Sequence, residues 1–183
     1  MIYHLSLQTA GYISGAFLLL VGLPGLFRPA LMQSLTRHFP RSFLVGVVLL
    51  TIDLVWSFWL LSTMEMGEFT SFRRPLLIAL PISYVLVLRF MQEFLAVRAL
   101  GILCLLAAEP LLDAAFFRYE ASRLFVTLFA YLLVVAGLFW VTMPYLLRDQ
   151  ITWSTKNNTR WRFVHGIALA YGAVMLALAI TQY

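Results

Sequence analysis

The sequence is short of charge and of cysteine, and both shortages narrow the class of protein that it encodes. Only 11% of its 183 residues are Asp, Glu, Lys or Arg, whereas 62% are hydrophobic. A soluble domain of this length needs a polar surface that so few charges do not provide. The single cysteine, Cys104, excludes an intramolecular disulfide and any cysteine-based metal or redox motif.

Recognisable site motifs are missing as well. The sequence contains no glycine-rich phosphate loop, no zinc-protease motif and no dinucleotide fingerprint. His4, His38 and His165 fall at the ends of apolar runs, which argues against a bis-histidine haem or a histidine-rich metal site. We therefore expect no metal and no cofactor. The net charge of +5 comes from basic residues in short loops and does not indicate binding to nucleic acid.

Long apolar runs recur along the whole sequence and indicate spans of a lipid bilayer. A span needs roughly 20 apolar residues, because the hydrocarbon core is about 30 Å thick and a helix rises about 1.5 Å per residue. The spans should be helices, since a helix satisfies its own backbone polar groups in lipid. The sequence predicts one all-α transmembrane domain over residues 1–183, with six spans at residues 5–27, 42–64, 72–90, 99–117, 122–147 and 163–180.

The third run is the weakest of the six, because its uncharged part, residues 75–88, covers only about 21 Å at helical rise. It is either a full span with arginines reaching to the interfaces or a re-entrant segment, which leaves five spans. Six spans place nine basic residues on one side and four on the other, whereas re-entry gives eight and five. The positive-inside rule therefore favours six spans in the inner (cytoplasmic) membrane, with both termini outside.

Two loops near the nine-charge side contain further signals. Residues 29–39 form either a plain connection or an interfacial helix, with Leu31, Met32 and Leu35 on one face and Arg37 near the other. Such a helix would lie on anionic headgroups. Residues 148–162 are rich in basic side chains and provide a second polar loop on the same side.

Small residues recur at helical spacing in the first and sixth spans. Helices in lipid associate through close backbone approach at such residues. The two faces either pack on each other within the chain, or one of them contacts a protein partner or a second copy. The first face consists of Gly11, Gly15 and Gly22, and the second of Gly166, Ala170, Ala173 and Ala177.

Three acidic residues interrupt the apolar runs and are the best candidates for function. Asp53 lies in the second span, and Glu109 and Asp113 lie in the fourth. A central aspartate in lipid costs about 2.5–3.5 kcal/mol on insertion scales, so intramembrane acids usually have a role. We expect Asp53 and Glu109 to face the bundle interior at similar depth. Asp113 should lie one turn beyond Glu109 on the same face, and Trp56 on the face of Asp53.

Two interpretations of these acids stay open. Ionised carboxylates that lie close together in a low dielectric repel, so a shared site would take up a proton or a cation. Alternatively, Asp53 and Glu109 are protonated or hydrogen-bond to Tyr84, Tyr131, Thr142 or an indole, and hold helices together. Asp113 also has an interfacial interpretation, because Arg118 and Arg123 follow it closely.

Three functions fit these features. The first is a transporter or channel for a small solute that uses the intramembrane carboxylates as proton or cation sites. The second is a non-catalytic subunit of a larger membrane complex, since the loops are short and site motifs are missing. The third is a membrane-embedded lipid-modifying enzyme whose loop 148–162 binds a phosphate headgroup, although no nucleophile or metal site is evident. We place transport first and the enzyme last.

Overall fold

The computed structural model describes residues 5–116 and 118–182. The predicted all-α bundle is confirmed, since the described residues form no strand, two short 3₁₀ helices (Phe39–Arg41 and Gly67–Phe72) and eight α-helices. They are α1 (Leu7–Phe27), α2 (Pro29–His38), α3 (Phe43–Thr63), α4 (Arg73–Phe90), α5 (Leu95–Ala115), α6 (Arg123–Thr142), α7 (Tyr145–Thr155) and α8 (Asn158–Thr181). Within this part of the chain, α1, α3, α5, α6, α8 and the helical segment Gly67–Phe90, which contains α4, are long and apolar enough to cross a membrane. The chain is thus a multi-pass membrane protein.

Polar caps and prolines set most of the helix ends. The Ser42 side chain accepts a hydrogen bond from the Val45 amide at the start of α3, which matches the predicted span closely. The Asn157 side chain caps α8 in the same way, so the sixth span begins five residues before the predicted residue 163. Asn and Ser are favoured at such positions because their side-chain oxygens satisfy amides that lack a helical partner.

The predicted fifth span, residues 122–147, is too long. α6 ends at Thr142 and Met143 leaves the helical conformation, with φ −128° and ψ 70°. Pro144 follows, and the residue before a proline is disfavoured in the helical region. The chain then starts the separate helix α7. The fourth span begins at Leu95, four residues before the predicted start, and its predicted end at residue 117 lies outside the described residues.

A contact between α2 and α7 decides the number of crossings. The Arg37 guanidinium on α2 donates to the Thr155 hydroxyl at 3.0 Å and to the Thr155 carbonyl at 2.9 Å. α2 follows the first span and α7 follows the fifth, so both lie at the same end of the bundle, here called the α2–α7 end. The chain between them must cross the bundle an even number of times. α4 is therefore a full span rather than a re-entrant segment. Of the two alternatives for the loop after the first span, the structure contains the helix, at residues 29–38.

The spans pack as two tight pairs with a more loosely attached edge. α1 packs along α8, and α5 packs along α6, with a core of buried side chains that includes Ala10, Leu111, Ala130 and Met175. α3 packs on α5 through a smaller cluster around Leu50. α4 packs mainly on α3, and none of its residues is buried. It forms one edge of the bundle.

Glycines allow the close helix crossings. A Cβ atom on Gly137 would lie 2.7 Å from the Gly101 carbonyl oxygen, where α5 and α6 cross. A Cβ atom on Gly15 would lie 3.0 Å from the Gly172 carbonyl oxygen, where α1 and α8 cross. No real Cβ tolerates the first distance, so the α5–α6 crossing depends on glycine.

Of the two predicted small-residue faces, one is buried within the chain and the other is exposed. Gly11, Gly15 and Gly22 on α1 are buried, and α1 packs along α8 within the chain. α8 meets it with Gly172 and neighbouring large residues rather than with the predicted stripe. The stripe itself faces away: its alanines at 170, 173 and 177 are exposed, and a Cβ atom on Gly166 would meet nothing within 4 Å.

Candidate functional site

Asp53 lies in the interior of the bundle, near the middle of α3. Only 3% of its surface is exposed, because α3 turns this face toward α4 and α5. Neither carboxyl oxygen has a hydrogen-bond partner among the described residues. The alternative in which Asp53 bonds to a tyrosine or an indole and holds helices together is therefore not the arrangement that the structure contains. A buried polar group without a partner is costly, so this carboxyl calls for an explanation.

A cavity of about 150 Å³ adjoins the Asp53 carboxyl. It lies between α3, α4 and α5, and most of its wall is apolar. Leu50, Asp53, Leu54 and Ser57 line it from α3, Leu80, Ser83, Tyr84 and Val87 from α4, and Ile102 from α5. The spacing of the α3 residues, at intervals of one, three and four, is that of one helix face.

The Tyr84 hydroxyl is already engaged at the edge of this cavity. It lies 2.9 Å from the Thr51 hydroxyl, which also donates to the Val47 carbonyl at 2.7 Å. The tyrosine thus ties α4 to α3 and does not reach the Asp53 carboxyl. The polar groups left over to serve the cavity are the carboxyl and two serine hydroxyls.

Ser57 and Ser83 differ from most hydroxyl residues of the spans. Ser and Thr in membrane helices commonly donate to a carbonyl one turn earlier in their own helix. In this chain that pattern holds for Ser14, Thr51, Ser62, Thr63, Thr127 and Thr142. The Ser57 and Ser83 hydroxyls make no hydrogen bond to any residue that the structure describes, and both residues line the cavity beside Asp53. Three oxygen-bearing groups therefore share one cavity with their hydrogen-bonding capacity unused.

The structure corrects the placement of Trp56. Three residues along a helix turn by about 300°, so Trp56 lies about 60° from Asp53, on the side opposite to the cavity residues Leu50, Leu54 and Ser57. That difference places Trp56 beside Ile52, Val55 and Trp59, on an open apolar groove along the outside of α3. Trp56 is not among the residues that line the Asp53 cavity.

Glu109 and Asp113 lie together, but away from Asp53. Both line a groove of about 420 Å³ on the outer face of α5, which Val134 of α6 borders. Glu109 is exposed and Asp113 is half-buried. The expectation that Glu109 faces the bundle interior is therefore wrong. Its helix turns a different face inward, the one that carries Cys104 and Leu111.

The expected equal depth of Asp53 and Glu109 also needs correction. The register of α3 and α5 is set where Gly46 meets Ala96, since a Cβ atom on Gly46 would lie 2.7 Å from the Ala96 nitrogen. Seven residues farther along the parallel helices, Asp53 lies level with Leu103. Glu109 lies six residues beyond that level, roughly 9 Å along the axis. The structure does not unite these two acids in one site.

The α2–α7 end carries a set of basic side chains with local partners. Arg148 forms an exposed ion pair with Asp149 at 2.8 Å. The Arg160 guanidinium lies over the Trp153 ring, 5.0 Å from its centroid. Pairs as exposed as these contribute little to stability. They do not build a recognisable catalytic arrangement for a lipid substrate.

Sequence reasoning missed the two serines of the cavity. Ser57 follows Asp53 by four residues, so helical spacing already places it on the same face. Ser83 had no such signal, because only the packing of α4 on α3 brings it to the acid. Both have the side-chain type that a small polar site needs, a hydroxyl that accepts as well as donates.

Comparison with known proteins gives no further guide to this site. No family model matches the chain, and no curated protein or solved structure matches it significantly. The chemistry of the Asp53 cavity is therefore inferred from the residues of this chain alone.

Proposed function

We propose that this protein is a small multi-span transporter that moves a small solute with a proton or a cation bound at Asp53. The supporting observation is the Asp53 carboxyl itself, which is buried, has no hydrogen-bond partner among the described residues and adjoins a cavity. An ionised carboxylate in such a place is very costly without a counter-charge. A proton or a cation must accompany it, and release of that ion requires the site to open.

The position of α4 supports opening of the site. α4 forms one wall of the cavity yet packs mainly on α3, and none of its residues is buried. Elements with few buried contacts are the ones that move at low cost. Pro81 lies between the cavity residues Leu80 and Ser83, and a proline weakens a helix at that level. We propose that α4 moves relative to α3 and exposes Asp53 to one side of the membrane.

The orientation follows from charge. The α2–α7 end contains most of the basic residues of the chain, with Arg37, Arg148 and Arg160 among them. Short loops rich in Arg and Lys stay on the cytoplasmic side. We propose that the α2–α7 end is cytoplasmic, that both termini are outside and that the protein belongs to the cytoplasmic membrane.

Reconstitution in liposomes tests the transport proposal. Protein in sealed vesicles that contain a pH-sensitive dye is exposed to a gradient of protons or of a candidate cation, and the dye reports flux. We expect Asp53→Asn to abolish flux and Asp113→Asn, a matched change in a membrane helix outside the cavity, to retain it. Circular dichroism and size-exclusion profiles check that both variants fold. Unchanged flux in a folded Asp53→Asn variant would overturn the proposal.

A second candidate function is that of a non-catalytic subunit in a larger membrane complex. The observation that favours it is Glu109, a carboxylate exposed on the outer face of a membrane helix. Acids in membrane spans usually face protein or a water-filled cavity rather than lipid. A partner span would cover this face, and the exposed alanines of α8 offer a second contact surface.

Extraction from native membranes in mild detergent distinguishes the two candidates. The mass and composition of the eluted particle show whether another protein accompanies this one. A stoichiometric partner that is lost in Glu109→Gln supports the subunit function. A lone monomer or homo-oligomer that carries out Asp53-dependent flux supports transport.

A further inference from the structure

We infer that the cation bound in the Asp53 cavity is itself the transported solute, a small primary alkylammonium ion with three N–H donors and a short apolar chain. This inference names the substrate class of the same site, so its role in flux rests on the proposed function. Binding of the ion, however, can be measured without flux.

The polar groups match an ammonium head. Asp53 supplies one negative charge, and the hydroxyls of Ser57 and Ser83 can each accept a hydrogen bond. An ammonium group has three donors and no acceptor, so three oxygen-bearing groups suit it. These are the same three groups that have no hydrogen-bond partner among the described residues. A bound alkylammonium would therefore satisfy each of them at once.

A proton alone accounts less well for this arrangement. A carboxyl that only takes up a proton is best served by direct hydrogen bonds to its neighbours. Here the nearby Tyr84 hydroxyl bonds to Thr51 instead, and a cavity of about 150 Å³ adjoins the acid. The polar groups are arranged around a space rather than in contact with one another, as a ligand larger than a proton requires.

The lining of the cavity suits an alkylammonium ion better than a metal ion. Calcium takes six to eight oxygen ligands, and magnesium demands an octahedral set. The cavity offers one carboxylate and a few hydroxyls, and the rest of its lining is apolar, with Leu50, Leu54 and Ile102 among it. An apolar wall with a few convergent polar groups is the usual composition of a site for a small organic molecule. The alkyl chain would pack on the leucines.

The size of the cavity limits the length of the chain. A protein cavity of about 150 Å³ is known to hold a benzene molecule. The Asp53 cavity has about the same volume. Propylammonium has fewer heavy atoms than benzene and fits, whereas long polyamines do not.

Equilibrium dialysis of radiolabelled propylammonium against the purified full-length protein in detergent tests the inference. We expect saturable binding that is lost in Asp53→Asn and at least about tenfold weaker in Ser57→Ala and in Ser83→Ala, because hydrogen bonds to a charged group are strong. Ser62→Ala is the matched control. Its hydroxyl lies on the same helix and donates to the Trp59 carbonyl at 2.8 Å, so binding should not change.

Competition with unlabelled compounds decides which chemistry the site recognises. We expect propylammonium to compete, and 1-propanol, sodium ions and tetramethylammonium, which has no N–H donor, to compete poorly. Equal competition by 1-propanol or by tetramethylammonium overturns the inference. Sodium binding with no saturable propylammonium binding also overturns the inference. In that case cation-linked transport remains the proposed function if flux still depends on Asp53.

The remaining outcomes separate binding from transport. Propylammonium binding that depends on Asp53, with no flux of any ion in liposomes, supports the ligand class and contradicts the proposed function. If Asp53→Asn does not fold, the two serine variants carry the test, since each removes one hydroxyl and leaves the charge in place. Unchanged binding in both folded serine variants then overturns the inference.

Discussion

The Tyr84 hydroxyl on α4 lies 2.9 Å from the Thr51 hydroxyl on α3, at the edge of the cavity that contains Asp53. This hydrogen bond joins the two helices that a gating motion would separate. Since α4 has no buried residue, the side-chain bond is an important part of what keeps the helix in register with α3. α4 covers the acid, and this polar contact helps to hold α4 on α3.

Loss of this contact should loosen α4. We predict that Tyr84→Phe lowers the free energy of unfolding by about 0.5–1.5 kcal/mol, the usual net value of one hydrogen bond. Amide hydrogen exchange in α4 should become faster, while exchange in α5 stays the same. Hydrogen-exchange mass spectrometry in nanodiscs measures both. Tyr131→Phe, a matched change at an exposed position of α6, serves as the control. Equal exchange of α4 in wild type and Tyr84→Phe would show that this bond does not hold the helix.

The crossing of α5 and α6 should tolerate no side chain at Gly137. A Cβ atom there would lie 2.7 Å from the Gly101 carbonyl oxygen, and backbone atoms move only if the helices separate. We predict that Gly137→Ala destabilises the protein by about 1–3 kcal/mol, as overpacking in a core does. Reversible unfolding in mixed micelles measures the change.

Gly166→Ala is the matched control for the crossing. It also lies in a membrane helix, but its added Cβ would meet nothing within 4 Å. We expect no loss of stability, and a small gain because alanine favours the helix by about 1 kcal/mol over glycine. Similar destabilisation by both substitutions would mean that loss of glycine itself, not the close crossing, is responsible. A large loss at Gly166 in native membranes alone would instead indicate a partner on that face.

Trp161 satisfies a carbonyl that the sequence leaves without its helical donor. The Gly25 carbonyl would normally accept from the amide four residues later, but that residue is Pro29, which has no N–H. The indole of Trp161, only 2% exposed, donates to this carbonyl at 2.7 Å. We predict that Trp161→Phe costs about 1–3 kcal/mol, the penalty of an unsatisfied buried group. Trp153→Phe at an exposed position of α7 should cost much less. Equal costs in an unfolding titration would contradict this account.

Local composition was enough to predict the six spans, because hydropathy depends on each residue and its near neighbours. It also predicted the start of α3, where a serine cap precedes the apolar run. The end of α6 was missed because Leu146 and Leu147 continue the apolar pattern past Pro144. Hydropathy does not register that a proline changes the backbone direction there.

The faces of the helices were harder to predict than their positions. Leucine and alanine are both stable in contact with lipid, so the sequence of an apolar span does not show which side packs inward. Glu109 was expected inside on the cost of its charge, yet α5 turns that residue outward. Ser83 belongs to the cavity only because α4 packs on α3, and no local pattern in the sequence predicts that packing. Contacts between spans depend on register and rotation, which a single sequence does not contain.

The contact between Arg37 and Thr155 makes the topology testable. Because it joins loops that follow the first and fifth spans, the α2 and α7 loops must lie on the same side of the membrane. The short 3₁₀ helix Gly67–Phe72, which precedes α4, must lie on the opposite side. The five-span alternative would separate α2 from α7.

Single-cysteine labelling in right-side-out and inverted vesicles should therefore give a fixed pattern. In a Cys104→Ala background, we predict that Ser34→Cys in α2 and Thr152→Cys in α7 react with an impermeant maleimide only when the cytoplasmic side is accessible. Ser71→Cys should react only from the outside. All three positions are exposed, so a lack of reaction is not caused by burial. Labelling of positions 34 and 152 from opposite sides would require an odd number of crossings between them, which the α2–α7 contact does not allow. Reaction of both from the outside would keep the six spans and invert the orientation, because parity fixes only which loops share a side and the basic residues choose that side.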